Sequence, residues 1–466
     1  MSNAAPNPAS EIPVLERRKP DEPREASFAQ LRLWYLEQVT PGTAVYNVTH
    51  LMSIHGPLNV EALRQAYDSL VGRHEVLRTI FLAPAGKPMP LVLKKWAVQI
   101  PEIDLRHLPP QDRRAEADRL IREAAARPFN LARDLMIRGL VIRLGEDEFQ
   151  FLQIAHHIAF DASALNLTFE EIPDLYKAAV NGHPATLPEP PFQYCDFAAW
   201  QRRFLQGERL AELEQFWRQH LAGAATIQLP TDHPRPARGP QYGKRHPVAF
   251  PLQLLRDLQT VTSACKTTLY RSTLAAFNVF LHACTGQEDF SVGSPVLPRS
   301  LNVPGVMGFF VNTVVFRNDL SGDPCFHEIM ARVDRSCRAS LEHSDLTLDK
   351  VVEAVQPPRD PTRTPLFQVN FRSPKGSLPW LKIDGLETSP AAYIDNGTSK
   401  FDLAFELWMA TGEGCYIEYC SELFELSTVE RMRDDFERVL GELVLRPEAK
   451  LSELATVRAI RQRRNL

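Results

Sequence analysis

The chain is 466 residues long, more than one ordinary core fills, and its size favours two or three domains. Apolar residues at 44% and charged residues at 24% place it among globular chains able to build a sizeable core, which excludes a disordered or fibrous protein. Fifty-three basic against 57 acidic side chains leave a formal charge of −4, so no overall field draws it to nucleic acid or an anionic membrane. No apolar run reaches the roughly 18 residues that cross a bilayer. The first 26 residues, broken by Pro6, Pro8, Pro13, Pro20 and Pro23, lack a signal peptide's apolar centre. A cytoplasmic location without a membrane partner is the resulting expectation. The seven scattered cysteines, with no CxxC pair, predict reduced thiols rather than zinc or redox chemistry.

Residues 1–26 carry too few apolar side chains to offset the entropy of ordering and are predicted as a flexible leader. Ser27 and Gln30 have capping-box spacing ahead of Leu31, Trp34 and Tyr35, which predicts a helix stopped at Pro41-Gly42. Apolar side chains at every second position from Tyr46 to Ile54, His50 excepted, predict a half-buried strand. A second helix is predicted behind Asn59, where Val60, Leu63, Ala66, Tyr67, Leu70, Val71 and His74 fall at helical spacing. The apolar runs 135–143 and 148–156, split by Gly145-Glu146-Asp147, predict neighbouring strands, the second ending in His156 and His157. Leu165, Phe169, Ile172 and Tyr176 then return to helical spacing. The proline-rich stretches at 188–191 and 230–243 mark surface connections, and a lobe boundary is placed near residue 190. Beyond it, helical patterns at 251–265, 271–284, 326–342 and 426–444 alternate with strand-like runs at 289–294, 311–317, 366–372, 401–408 and 415–420, which predicts an α/β lobe.

Chemistry concentrates at Ala155-His156-His157-Ile158-Ala159-Phe160-Asp161-Ala162-Ser163. Successive strand side chains point to opposite faces, so at most one of the two histidines serves a given cleft. An imidazole titrates near neutrality and can take the proton that an attacking amine or hydroxyl must lose. A packed or hydrogen-bonded pair of core histidines fits the same residues, and the sequence alone leaves both open. Zinc is disfavoured because no cluster supplies further ligands, so no metal is expected, and the absence of a GxSxG elbow disfavours a serine hydrolase.

The segment resembles the HHxxxDG signature of nonribosomal peptide synthetase condensation domains, relatives of chloramphenicol acetyltransferase. Six further blocks agree in order: residues 27–34 (SFAQLRLW), 73–79 (RHEVLRT), 194–201 (YCDFAAWQ), 292–299 (VGSPVLPR), 308–313 (GFFVNT) and a looser His343-Ser344-Asp345. The resemblance spans residues 27–445. It implies an α/β fold of two chloramphenicol acetyltransferase-like lobes, 27–190 and 191–466, forming a V-shaped pseudodimer around a central tunnel, with His157 midway as the catalytic residue that accepts the nucleophile's proton or stabilises the charged intermediate. It further implies that Asp161 pairs with Arg299 and that Asn312 lies near the tunnel, with His156 in a supporting role. No tightly bound cofactor is implied. An acyl or peptidyl carrier protein would supply a phosphopantetheine arm bearing the acyl thioester, to be joined to a small-molecule or carrier-bound amine or alcohol.

Ala162 replaces the signature glycine, which predicts strain if that position needs positive φ. Pro298 precedes Arg299, and Leu346-Thr347-Leu348-Asp349 departs from the family's seventh block. The chain carries neither adenylation motifs nor a carrier sequence. The initial methionine and proline-rich leader point to a free-standing enzyme, and ester formation is the second expectation. An epimerase relative shares the paired histidines but fits the 308–313 block less well. A non-catalytic domain that recruits carriers or other enzymes is the rival from another class, opposed by the intact His156, His157 and Asp161.

Overall fold

The computed structural model describes residues 14–464 apart from positions 20, 85, 238–241, 299, 302, 375–377 and 413. In chain order the first elements are α1 (Phe28–Val39), β1 (Asn47–His55), α2 (Val60–Arg73), β2 (Thr79–Leu82), β3 (Met89–Val92), β4 (Glu102–Asp104), α3 (Pro110–Ala126), β5 (Ile137–Arg143), β6 (Glu148–His156), α4 (Ala162–Asn181), α5 (Tyr194–Phe204) and α6 (Gly207–His220). There follow β7 (Gly243–Pro247), α7 (Leu252–Ala264), α8 (Leu269–Thr285), β8 (Asp289–Val296), β9 (Asn312–Asp319), α9 (Phe326–Glu342), α10 (Leu348–Val355), β10 (Val369–Arg372), β11 (Glu387–Thr388), β12 (Ala392–Tyr393), β13 (Leu403–Glu406), β14 (Tyr416–Cys420), α11 (Leu426–Leu445) and α12 (Ala455–Arg464). Among the described residues, no helix is long and apolar enough to cross a membrane.

The chain divides into two compact units, the first running to Ala211 and taking in two later excursions, Ser300–Val311 and Leu378–Asn396. A lobe boundary near residue 190 stays a proposal, since no single cut expresses those excursions. In the first unit a six-stranded sheet has the order β11, β1, β6, β5, β4, with β12 also on β1. Only β4 and β5 run parallel. One sheet face packs Leu140, Ile142, Leu152 and Ile154 against Ala117, Ile121 and Phe129, a core made with α3. The helices α2 and α4 lie against each other, and Tyr67 of α2 donates its hydroxyl to Gln153 Oε1 on β6.

The second unit holds the sheet β7, β14, β13, β10, β8, β9. Its β10 runs parallel to both β13 and β8, and the other pairings are antiparallel. The helix α8 is buried on every side from Ser272 to Thr285. Phe277 and Phe280 of this helix interlock with Phe405 and Phe436, with ring centroids 4.8 to 6.0 Å apart. Each fully buried side chain of this kind stabilises the fold by about 1.5–3 kcal/mol.

Within the described part of the predicted leader, Arg17 and Arg18 make polar contacts with residues 190–196. The guanidinium of Arg17 donates to the Pro191 and Pro190 carbonyls at 3.0 and 3.1 Å, and the Arg18 amide donates to Asp196 Oδ1 at 2.8 Å. Polar anchors, which the apolar count ignored, fix this segment to the start of α5. The remainder of that prediction falls on residues 1–13 and 20, outside the described residues.

Where α2 ends, a buried ion cluster replaces apolar packing. Arg73 donates Nε and Nη2 to the Glu171 carboxylate of α4 at 3.0 and 3.2 Å, and His74 Nε2 reaches Glu171 Oε2 at 3.0 Å. Burial pushes the Glu171 carboxyl up, but the hydrogen bonds from His74 and Arg73 outweigh it and hold the carboxyl below its usual range. A depressed folded pKa contributes stability above the unfolded value near 4.5 that fades as pH falls through the folded one. Glu171→Gln is therefore expected to cost about 3 kcal/mol at pH 7 and progressively less below pH ~4.5, read from urea denaturation at both pH values. An equal cost at both would detach the effect from ionisation.

Candidate active site

The sheet of the first unit ends at His156, and the ladder continues one residue further. The His156 amide donates to the Met136 carbonyl and the His157 amide to the Tyr46 carbonyl, each at 2.9 Å. A tight turn over 157–160 follows, and Asp161 then caps α4. The strand's alternation separates the two imidazoles. His156 is buried, with the rings of Tyr46 and Phe129 at 6.2 and 5.6 Å. His157 is half-buried, its ring centroid 4.6 Å from that of Phe309.

Hydrogen bonding assigns the two rings opposite tautomers. His156 Nδ1 accepts the Ile158 amide at 3.1 Å, so its neutral ring carries hydrogen on Nε2. His157 Nδ1 lies 2.8 Å from the Phe160 carbonyl oxygen, which can only accept. The neutral His157 ring therefore carries its proton on Nδ1 and its lone pair on Nε2, the arrangement a general base requires.

Asp161 divides its two carboxylate oxygens. Oδ1 accepts the amides of Ser163 and Ala164 at 2.9 and 3.1 Å, a helix cap. Oδ2 accepts the amides of Phe310 and Val311 at 2.8 and 3.1 Å, fixing the segment that carries Phe309. Burial pushes the carboxyl up and these four amides pull it back, leaving it above its usual range. Every one of these contacts is a donor, which suits the ionised form. The predicted partner Arg299 lies outside the described residues. Ala162 is the first residue of α4 and has no positive φ, so the expected strain does not arise. A helical first position accepts alanine as readily as glycine.

Asn312 belongs to the second unit and works there as a tether. Its Nδ2 donates to the Ser344 and Leu346 carbonyls at 2.9 and 2.7 Å, while its Oδ1 accepts the Leu348 amide at 3.1 Å and so caps α10. The structure thus brings His156, His157 and Asp161 together within a few residues and gives Asn312 hydrogen bonds within the second unit.

Spacing within the chain did not reveal three further residues at the site. Gln30 Nε2 donates to the Ile158 carbonyl at 3.1 Å, and the Tyr194 hydroxyl donates to the Phe309 carbonyl at 2.6 Å. Gly308 is required beside that tyrosine, because a Cβ there would stand 1.9 Å from Tyr194 Cδ2. Each side chain lies in one of the sequence blocks, yet the contacts span 115 to 128 residues. Among the described residues, no group of three or more His, Cys, Asp or Glu side chains is placed to hold a metal ion.

A sequence model of the condensation domain matches residues 23–464. The chain belongs to the condensation-domain family. One of the linear gramicidin synthase proteins of Brevibacillus parabrevis is 36% identical over 440 residues, covering 93% of this chain and 6% of that protein. Phosphinothricin tripeptide synthetase PhsC of Streptomyces viridochromogenes is 37% identical over 439 residues, covering 92% of this chain and 40% of its own length. The chain therefore spans less than half the length of each of these relatives. In fold it is similar to the X-domain from teicoplanin biosynthesis, with a TM-score of 0.85 at 24% identity over 95% of this chain and 99% of that one. The condensation domains of nonribosomal peptide synthetases generally form amide bonds by acyl transfer and work with the phosphopantetheine arm of a carrier-protein partner.

Proposed function

We propose that this condensation domain joins a carrier-tethered acyl or aminoacyl thioester to an amine, or to an alcohol, with His157 as the group that handles the proton. The observation that carries the reading is the Nδ1 hydrogen bond to Phe160, which leaves Nε2 as the basic atom of a half-buried ring. As the nucleophile attacks the thioester carbonyl carbon, Nε2 accepts its proton. The C–S bond then breaks, a C–N or C–O bond remains, and the departing thiolate takes the proton back. Asp161 holds the loop and the Phe309 segment in register without touching the reactants.

The rival is a recruiting domain of the same fold, since the teicoplanin X-domain has been solved in complex with OxyB. The intact histidine pair with its defined tautomers favours catalysis. The deciding experiment incubates the protein with an acyl-loaded carrier and a panel of amines and alcohols, with mass spectrometry to detect amide or ester. Product that needs both carrier and protein is expected. Absence of product with every acceptor, alongside tight binding of a partner enzyme, would overturn the reading in favour of recruitment.

A further inference from the structure

We infer that Gln30 and Tyr194 are positioning residues for His157, both acting from the capping box of α1, an inference that rests on the acyl-transfer role proposed above. Gln30 is the third residue of α1 and is buried. Its Oε1 accepts the Ser27 amide at 3.2 Å, while its own backbone amide donates to Ser27 Oγ at 3.1 Å. A capping box needs only that acceptor, and glutamate serves it as well as glutamine. The NH2 group is surplus to the helix, and it is the group that reaches the Ile158 carbonyl.

Ile158 follows His157 directly. Its N–H is taken by His156 Nδ1 and its C=O by Gln30, so the backbone on the C-terminal side of the catalytic ring is held at both ends. The second arm begins at the same serine. The single hydroxyl proton of Tyr194 goes to the Phe309 carbonyl, so at the 2.9 Å contact Ser27 Oγ donates to Tyr194 Oη. The order is then Gln30 N–H to Ser27, Ser27 to Tyr194, and Tyr194 to Phe309, whose ring covers His157. One helix terminus thereby sets both the backbone behind the imidazole and the aromatic ring tilted against it.

The test uses two variants that spare the packing. Gln30→Glu keeps the capping acceptor but turns an oxygen toward the Ile158 carbonyl. Tyr194→Phe keeps the ring against Gly308 and removes only the donor to Phe309. Ring nitrogens of ¹⁵N-histidine-labelled protein are recorded by NMR, with His157→Asn assigning the signal. Wild type is expected to show the Nδ1–H tautomer. Each variant is expected to shift the His157 ring signals toward a tautomer mixture, and to lower kcat about 10-fold with KM changed less than about twofold. Unaltered His157 signals in both folded variants would overturn the inference. Should Gln30→Glu fail to fold cooperatively, Tyr194→Phe alone decides. The ring signals do not require turnover, so shifted signals in a protein that yields no product support the positioning role and count against the acyl-transfer reading alone.

Discussion

His157→Ala is expected to slow acyl transfer by about 10²–10⁴-fold, the usual share of a positioned general base. The ring's hydrogen bond to Phe160 is local, and the side chain is only half-buried. Loss of a neutral hydrogen bond costs about 1 kcal/mol, so folding should survive. His157→Asn sharpens the test, because its Nδ2 can donate to the Phe160 carbonyl as Nδ1 does while offering nothing in place of Nε2. If proton acceptance carries the rate, asparagine is as slow as alanine. If holding the loop carries it, asparagine recovers most of the loss. Single-turnover transfer from an acyl carrier, followed by quench and mass spectrometry, reads both variants. Full speed in both variants would remove His157 from the mechanism.

What the sequence disclosed follows from distance along the chain. The capping box of Ser27 and Gln30 is an (i, i+3) device, legible without tertiary structure, and α1 begins where it predicts. The apolar runs before and after Gly145 became β5 and β6, which pair antiparallel from Ile137 opposite Ala155 to Arg143 opposite Phe149. The period of two also anticipated that the neighbouring imidazoles would take different surroundings. By contrast α3 escaped notice, since its buried stripe is only Ala117, Ile121 and Ala125 in a strongly charged sequence. The strands β4, β11 and β12 have two or three residues each, too few to show alternation. The second oxygen of Asp161, the amide of Gln30 and the hydroxyl of Tyr194 find partners more than 100 residues away, and no local rule pairs them. The departure at Ala162 looked costly on the assumption of a left-handed turn, whereas the chain is already helical there.

Asp161→Ala is expected to be the most destabilising single change at the site, by about 4 kcal/mol. Two separate losses add up to that figure. Removing an N-cap acceptor costs about 1 kcal/mol. Leaving the Phe310 and Val311 amides without their acceptor costs about 1–3 kcal/mol each, because a buried donor forfeits its full desolvation penalty. Serine separates the contributions. Asp161→Ser keeps a good cap oxygen for α4, but its shorter side chain has no second oxygen to offer residues 310 and 311. The gap between the alanine and serine variants should then be about 1 kcal/mol, and the gap between serine and wild type about 2–6 kcal/mol, measured from urea midpoints at constant m-value. The serine variant should also lose transfer activity, since the released amides adjoin Phe309 and that ring lies against His157. A serine variant as stable and as active as wild type would show that Asp161 acts only as a helix cap, and that the 310–311 segment is held by other means.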